Sequence, residues 1–161
     1  MTSHSNLTSA QGRRLAYKRI PGKGPEIVFL SGFKSDMEGT KALHLAHWAE
    51  VNGRSFLRFD YSGHGQSSGL FGDGCIGDWL ADAEAVITSL TEGPVILVGS
   101  SMGGWISLLL SQRLGARLVG LVTIAAAPDF TEDTIWASFD THQRSELQRN
   151  GQVFLPSDYD E

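Results

Sequence analysis

The residues with the clearest chemical potential are Gly99-Ser100-Ser101-Met102-Gly103, which have the form G-x-S-x-G. The register selects Ser101, because centring the motif on Ser100 would put Val98 and Met102 at the glycine positions. The motif follows the apolar run Val95-Ile96-Leu97-Val98 and precedes a helix that opens near Gly103-Gly104. In a strand–turn–helix context a serine at this spacing is lifted clear of the sheet, where its hydroxyl can attack an acyl carbonyl. The Met102 amide, at the start of that helix, is then one donor to the oxyanion. A second donor is expected from the loop after an earlier strand. Ser31-Gly32-Phe33 follows Leu30 there, and the Phe33 amide is the candidate.

Other residues are set aside. Asp60 and His64 precede the nucleophile, and His64 lies between glycines, so both are read as loop residues, with Asp60 bonding nearby backbone. Gly72-Asp73-Gly74-Cys75-Ile76-Gly77 spells G-x-G-x-x-G but does not directly follow a strand, so no dinucleotide is expected. His44, His47 and Glu50 drift around a helix instead of converging, so no metal is expected; Cys75 is read as a small packed residue. No cofactor is implied.

These residues need elements to position them. Strands are expected over residues 15–20, 26–30, 54–61, 95–98 and 118–124. Ser35 and Glu38 are read as a capping box that opens a helix running to Asn52-Gly53; further helices cover about 76–90 and 103–114. Strands alternating with helices predict an α/β fold with a mainly parallel sheet. Residues 1–12 are read as a disordered start, 13–128 as the core, and 129–161 as a more polar region with two short helices.

The chain has 161 residues, a formal net charge of −5 and one cysteine. The charge argues against nucleic acid as a partner. A lone cysteine excludes an internal disulfide framework and fits a reducing compartment. No apolar run approaches the roughly 20 residues of a membrane-spanning helix. A cytoplasmic location follows as the expectation, with the mitochondrial matrix as the alternative because residues 1–14 are rich in Ser and Thr and lack acids.

Four runs, SGFKSDMEGTKA, RFDYSGHGQSSG, TEGPVILVGSSMGGW and GLVTIAAAPDF, resemble the α/β-hydrolase superfamily, in particular its palmitoyl-protein thioesterase and acyl-glucuronide esterase branch. The resemblance covers about residues 13–161. It implies a three-layer α/β-hydrolase fold that hydrolyses a small acyl ester or thioester, with Ser101 as nucleophile and the Phe33 and Met102 amides as the oxyanion hole. It also implies that residues 129–161 begin a cap, with Trp136 and Phe139 lining an acyl pocket. In this superfamily the acid and then the histidine follow the serine. After Ser101 the chain holds Asp129, Asp133, Asp140, Asp158 and Asp160 but a single histidine, His142, which is read as a surface residue. The expectation is therefore a chain whose carboxyl-terminal strands, with the triad Asp and His, are missing. Its last strand would be an apolar edge prone to self-association. The alternative is a non-catalytic binding module or pseudoenzyme on the same fold.

Overall fold

The computed structural model describes residues 4–155. The chain divides into two compact units, Met1–Ala126 and Ala127–Glu161.

The first unit is built on a six-stranded sheet in the order β1-β2-β4-β3-β5-β6. Its strands are β1 (Ser5–Thr8), β2 (Arg14–Ile20), β3 (Lys23–Leu30), β4 (Arg54–Phe59), β5 (Val95–Ser100) and β6 (Leu118–Ile124). β4, β3, β5 and β6 run parallel, while β1 and β2 add an antiparallel edge. Three helices connect the parallel strands: α1 (Thr40–Val51), α2 (Ile76–Leu90) and α3 (Met102–Leu114). The chain leaves β3 through α1 toward one edge and leaves β5 through α3 toward the other. Right-handed crossovers in opposite directions place α1 on one face of the sheet and α2 with α3 on the other. This makes the three layers of the expected α/β-hydrolase architecture. Side chains alternate along each strand: Ile27 and Phe29 of β3 meet Ala42, Ala46 and Ala49 of α1 in one core layer. Val28 and Leu30, both fully buried, belong to the opposite layer.

The reversal of winding between β3 and β5 matters for function. Adjacent crossovers that diverge leave a crevice at the carboxyl ends of their strands, where open α/β sheets bind ligands. Leu30 and Gly99 are register partners there. The loop after Leu30 and the turn after Gly99 therefore emerge side by side.

Three local expectations are corrected. Residues 5–8 are not disordered; they pair with residues 14–17 of β2, because an antiparallel partner satisfies their backbone. Ser35 and Glu38 do not cap a helix. α1 starts at Thr40, and residues 35–39 form turns in which the Ser35 amide donates to Gly32 O and the Glu38 amide to Asp36 Oδ1. The Glu38 carboxylate is taken instead by Lys18 at 2.8 Å and Arg58 at 3.4 Å. Cys75 is exposed at the amino terminus of α2, where its amide and thiol both donate to Asp78 Oδ2 at 3.2 Å.

The second unit contains a helical turn, Thr131–Trp136, and α4 (Thr141–Asn150), with Asp140 as a capping residue that accepts from the Gln143 amide. The Trp136 and Phe139 rings lie 6.0 Å apart.

Candidate active site

Ser101 sits between β5 and α3 with φ +53° and ψ −117°, a backbone region that side chains rarely adopt. Such a conformation costs about 1–3 kcal/mol and persists only where its surroundings over-determine it. Here they do. The Ser101 amide donates to Ile124 O of β6 at 2.9 Å, and the glycines let the segments close around it. A side chain at Gly99 or Gly103 would collide with backbone: at Gly99 with Gly103 O, at Gly103 with Leu30 O of β3. A Cβ at Gly104 would lie 2.7 Å from the Ala126 Cβ. The G-x-S-x-G spacing is therefore a packing requirement that brings β3, β5, β6 and α3 to one point beneath a raised serine.

Met102 is the first residue of α3 and is fully buried, so its amide lies among the unpaired amides of the helix start. Gly32 approaches the serine: a Cβ there would stand 3.4 Å from Ser101 Cβ. Phe33, half-buried, comes next. Of the sequence-derived trio, Ser101 and Met102 are consecutive at the start of α3, and Phe33 follows the glycine that approaches the serine. Trp136, half-buried, and Phe139, buried, belong to the second unit, as does the exposed His142. Asp158 and Asp160 lie outside the described residues.

The loop that carries Phe33 is tied down at its far end. Met37 is buried; its amide donates to Asp60 Oδ1 at 2.7 Å, and its carbonyl accepts from Arg58 Nη1. Asp60 also accepts from the Gln66 amide at 2.8 Å, so it works on backbone, not on substrate. Burial raises its carboxyl above the ordinary value, partly offset by the Gln66 and Met37 amides.

His64 is also structural. Its Nδ1 donates to Ser62 O at 3.1 Å, an acceptor it shares with Trp79 Nε1. A carbonyl can only accept, so Nδ1 carries the proton of the neutral ring. Nε2 is buried without a hydrogen-bond partner. Burial pushes the His64 imidazole below its usual value, against the opposing pull of the Ser62 carbonyl and Asp82. Folding therefore favours neutral His64. Stability is fully present above about pH 6.5 and declines as pH falls from there toward the lower native value, as the unfolded chain takes up a proton the native state refuses. The loss approaches about 1.4 kcal/mol for each pH unit between the two values. Urea midpoints at pH 7.5 and 5.5 are expected to differ more for the wild-type chain than for His64→Gln. Equal differences would contradict the account.

Sequence reasoning missed a support beneath this site. Asp82 is fully buried and accepts from the Ser62 amide at 2.9 Å, the Ser62 hydroxyl at 2.6 Å and Arg13 Nε at 2.7 Å; Arg13 Nη1 also reaches Asp78 at 2.9 Å. The available signal was two aspartates four apart on α2, spaced to share one guanidinium.

Among the described residues no group of three His, Cys, Asp or Glu side chains could hold a metal ion, and no helix is long and apolar enough to cross a membrane.

Known proteins are similar to this chain in sequence and fold. The family described as serine aminopeptidase, S33, matches residues 23–154. The rat protein named palmitoyl-protein thioesterase ABHD10, mitochondrial, is 38% identical over 158 residues, covering 98% of this chain and 53% of the relative. The solved structure of mouse α/β-hydrolase domain-containing protein 10 superposes with a TM-score of 0.88 at 37% identity, covering 98% of this chain and 63% of that one. A putative hydrolase from Agrobacterium vitis S4 gives a TM-score of 0.89 at 41% identity, covering 98% and 65%. The chain spans about half the length of the curated relatives it matches. With the family match extending over most of its length and the fold shared with the solved relatives, the chain belongs to the serine aminopeptidase S33 family of α/β hydrolases.

Proposed function

We propose that this chain carries the nucleophile and oxyanion hole of a serine hydrolase acting on carboxylic esters or thioesters. The observation that carries the reading is Ser101 at φ +53° on the turn between β5 and α3, with Gly32 against it at the crevice between β3 and β5. Ser101 Oγ attacks the acyl carbonyl, its proton passing to a base. The carbonyl oxygen gains negative charge and is held by the Phe33 and Met102 amides. Collapse of the adduct expels the alcohol or thiol, which takes a proton, and leaves an acyl-serine. Water then attacks, releasing the carboxylic acid and restoring the hydroxyl. The relatives are palmitoyl-protein thioesterases, which supports an acyl thioester as substrate, and they are mitochondrial, which favours that location over the cytoplasm.

The test is hydrolysis by the full-length natural product of p-nitrophenyl esters and matched S-acyl thioesters of two to sixteen carbons. Turnover of acyl substrates is expected. Binding of acyl chains without turnover would favour a non-catalytic module.

A second expectation concerns β6. It is the last strand of the sheet among the described residues, and Val119, Leu121 and Val122 are exposed along it. An apolar strand with one unpaired edge templates pairing with another copy. The 161-residue chain on its own is expected to form dimers or larger species in light scattering at micromolar concentration. A monodisperse monomer would contradict this.

A further inference from the structure

The acyl-transfer reading uses the Phe33 amide but leaves its ring unexplained. That ring meets Phe71 edge-on, centroids 4.9 Å apart at 79°, and Trp79 at 6.3 Å and 76°. Phe71 in turn lies stacked 5.7 Å from Trp79 and edge-on to His64 at 5.1 Å. His64 stands edge-on to Trp79, also at 5.1 Å, and to Tyr61 at 5.7 Å. The Lys34 ammonium lies over the Phe71 ring, 5.4 Å from its centroid.

We propose that Phe71, seated on His64 and Trp79, is the positioning residue that fixes the Phe33 peptide as an oxyanion donor; the inference rests on the role given to Phe33 above. Phe71 touches two consecutive residues of the loop, one by an aromatic edge and one by a cation over its face, and each is a specific attraction. Those two contacts pin the chain where Lys34 adopts φ +51°, a conformation that must be held from outside. The far end of the loop is already fixed at Met37 by Asp60 and Arg58. Phe71 supplies the near anchor, at Phe33 and Lys34.

The seat beneath Phe71 is rigid. His64 and Trp79 both donate to Ser62 O, Ser62 is held by Asp82, and Asp82 by Arg13. Phe71 itself rides on a three-residue helical turn, Phe71–Asp73, and is only half-buried, while Trp79 below it is buried. It is therefore a contact added on top of the core, which makes it separable by mutation.

The experiment compares wild type, Phe71→Ala, Phe71→Leu and Phe71→Tyr in the full-length natural product. Two readouts are taken: hydrogen–deuterium exchange over residues 31–37, and kcat and KM for a p-nitrophenyl ester. Phe71→Leu keeps apolar volume and guards against an unfolded alanine variant. Exchange is expected to speed about tenfold in the alanine and leucine variants and to stay near wild type in the tyrosine variant. In parallel kcat falls about tenfold to a hundredfold with KM within about threefold, because a misplaced donor weakens the transition state and not substrate binding. Unchanged exchange over 31–37 in both truncated variants overturns the proposal while leaving the hydrolase reading intact. Faster exchange with unchanged kcat overturns it differently: the ring orders the loop, but the Phe33 amide is not the donor. If the wild-type product hydrolyses nothing, the hydrolase reading fails and the proposal falls with it.

Discussion

Ser101→Ala in the full-length natural product is expected to lower kcat/KM for acyl esters by about ten-thousandfold or more while leaving the fold intact. The magnitude follows from the chemistry: with no hydroxyl there is no acyl-serine, and only binding and oxyanion stabilisation of a water-mediated reaction remain. The fold should survive because the contact that holds this position, the Ser101 amide to Ile124 O at 2.9 Å, is made by backbone. Alanine accepts the φ of +53° at about the same cost as serine. The check is steady-state hydrolysis beside a thermal melt. Wild-type turnover by a folded Ser101→Ala protein would remove the serine from the mechanism.

Gly103→Ala should act through structure. The added Cβ would collide with the carbonyl oxygen of Leu30 and lie 2.6 Å from that of Ser31, and neither backbone atom can swing away as a side-chain end could. α3 would have to separate from the end of β3, the place where the loop that carries Phe33 begins. Such overpacking costs about 3 kcal/mol, which in a chain of this size lowers the melting temperature by about 6–12 °C. Gly93→Ala is the control, since nothing lies within 4 Å of its would-be Cβ; it should stay within about 0.5 kcal/mol of wild type. A Gly103→Ala chain as stable as the control would mean that helix and strand do not approach as closely as described.

These two positions were legible without coordinates because the signals that mark them are local. A buried apolar strand, a glycine-flanked serine and a helix follow one another within residues 95–114, and the structure places the elements within two residues of that reading. The parallel sheet was legible for the same reason, as strands and helices alternate with turn residues between them. Where sequence reasoning failed, distant partners had intervened. Ser35-Asp36-Met37-Glu38 has the form of a capping box, yet Lys18 and Arg58 claim Glu38 and Asp60 claims the Met37 amide. No spacing in the chain announces those contacts. The strand Ser5–Thr8 was missed because its polar residues carry no apolar alternation; it exists through pairing with β2. The array of Phe33, His64, Phe71 and Trp79 draws on two loops, a helical turn and a helix, so its members share no periodicity. Arg13 bridges Asp78 and Asp82, partners that lie far from it along the chain.

The most direct test of the central claim is to treat the full-length natural product with a fluorophosphonate, which phosphonylates an activated serine, and to map the adduct by peptide mass spectrometry. A single modified site is expected, at Ser101, and it is lost in Ser101→Ala. An adduct on another serine, or no adduct on a preparation that hydrolyses acyl esters, would contradict it.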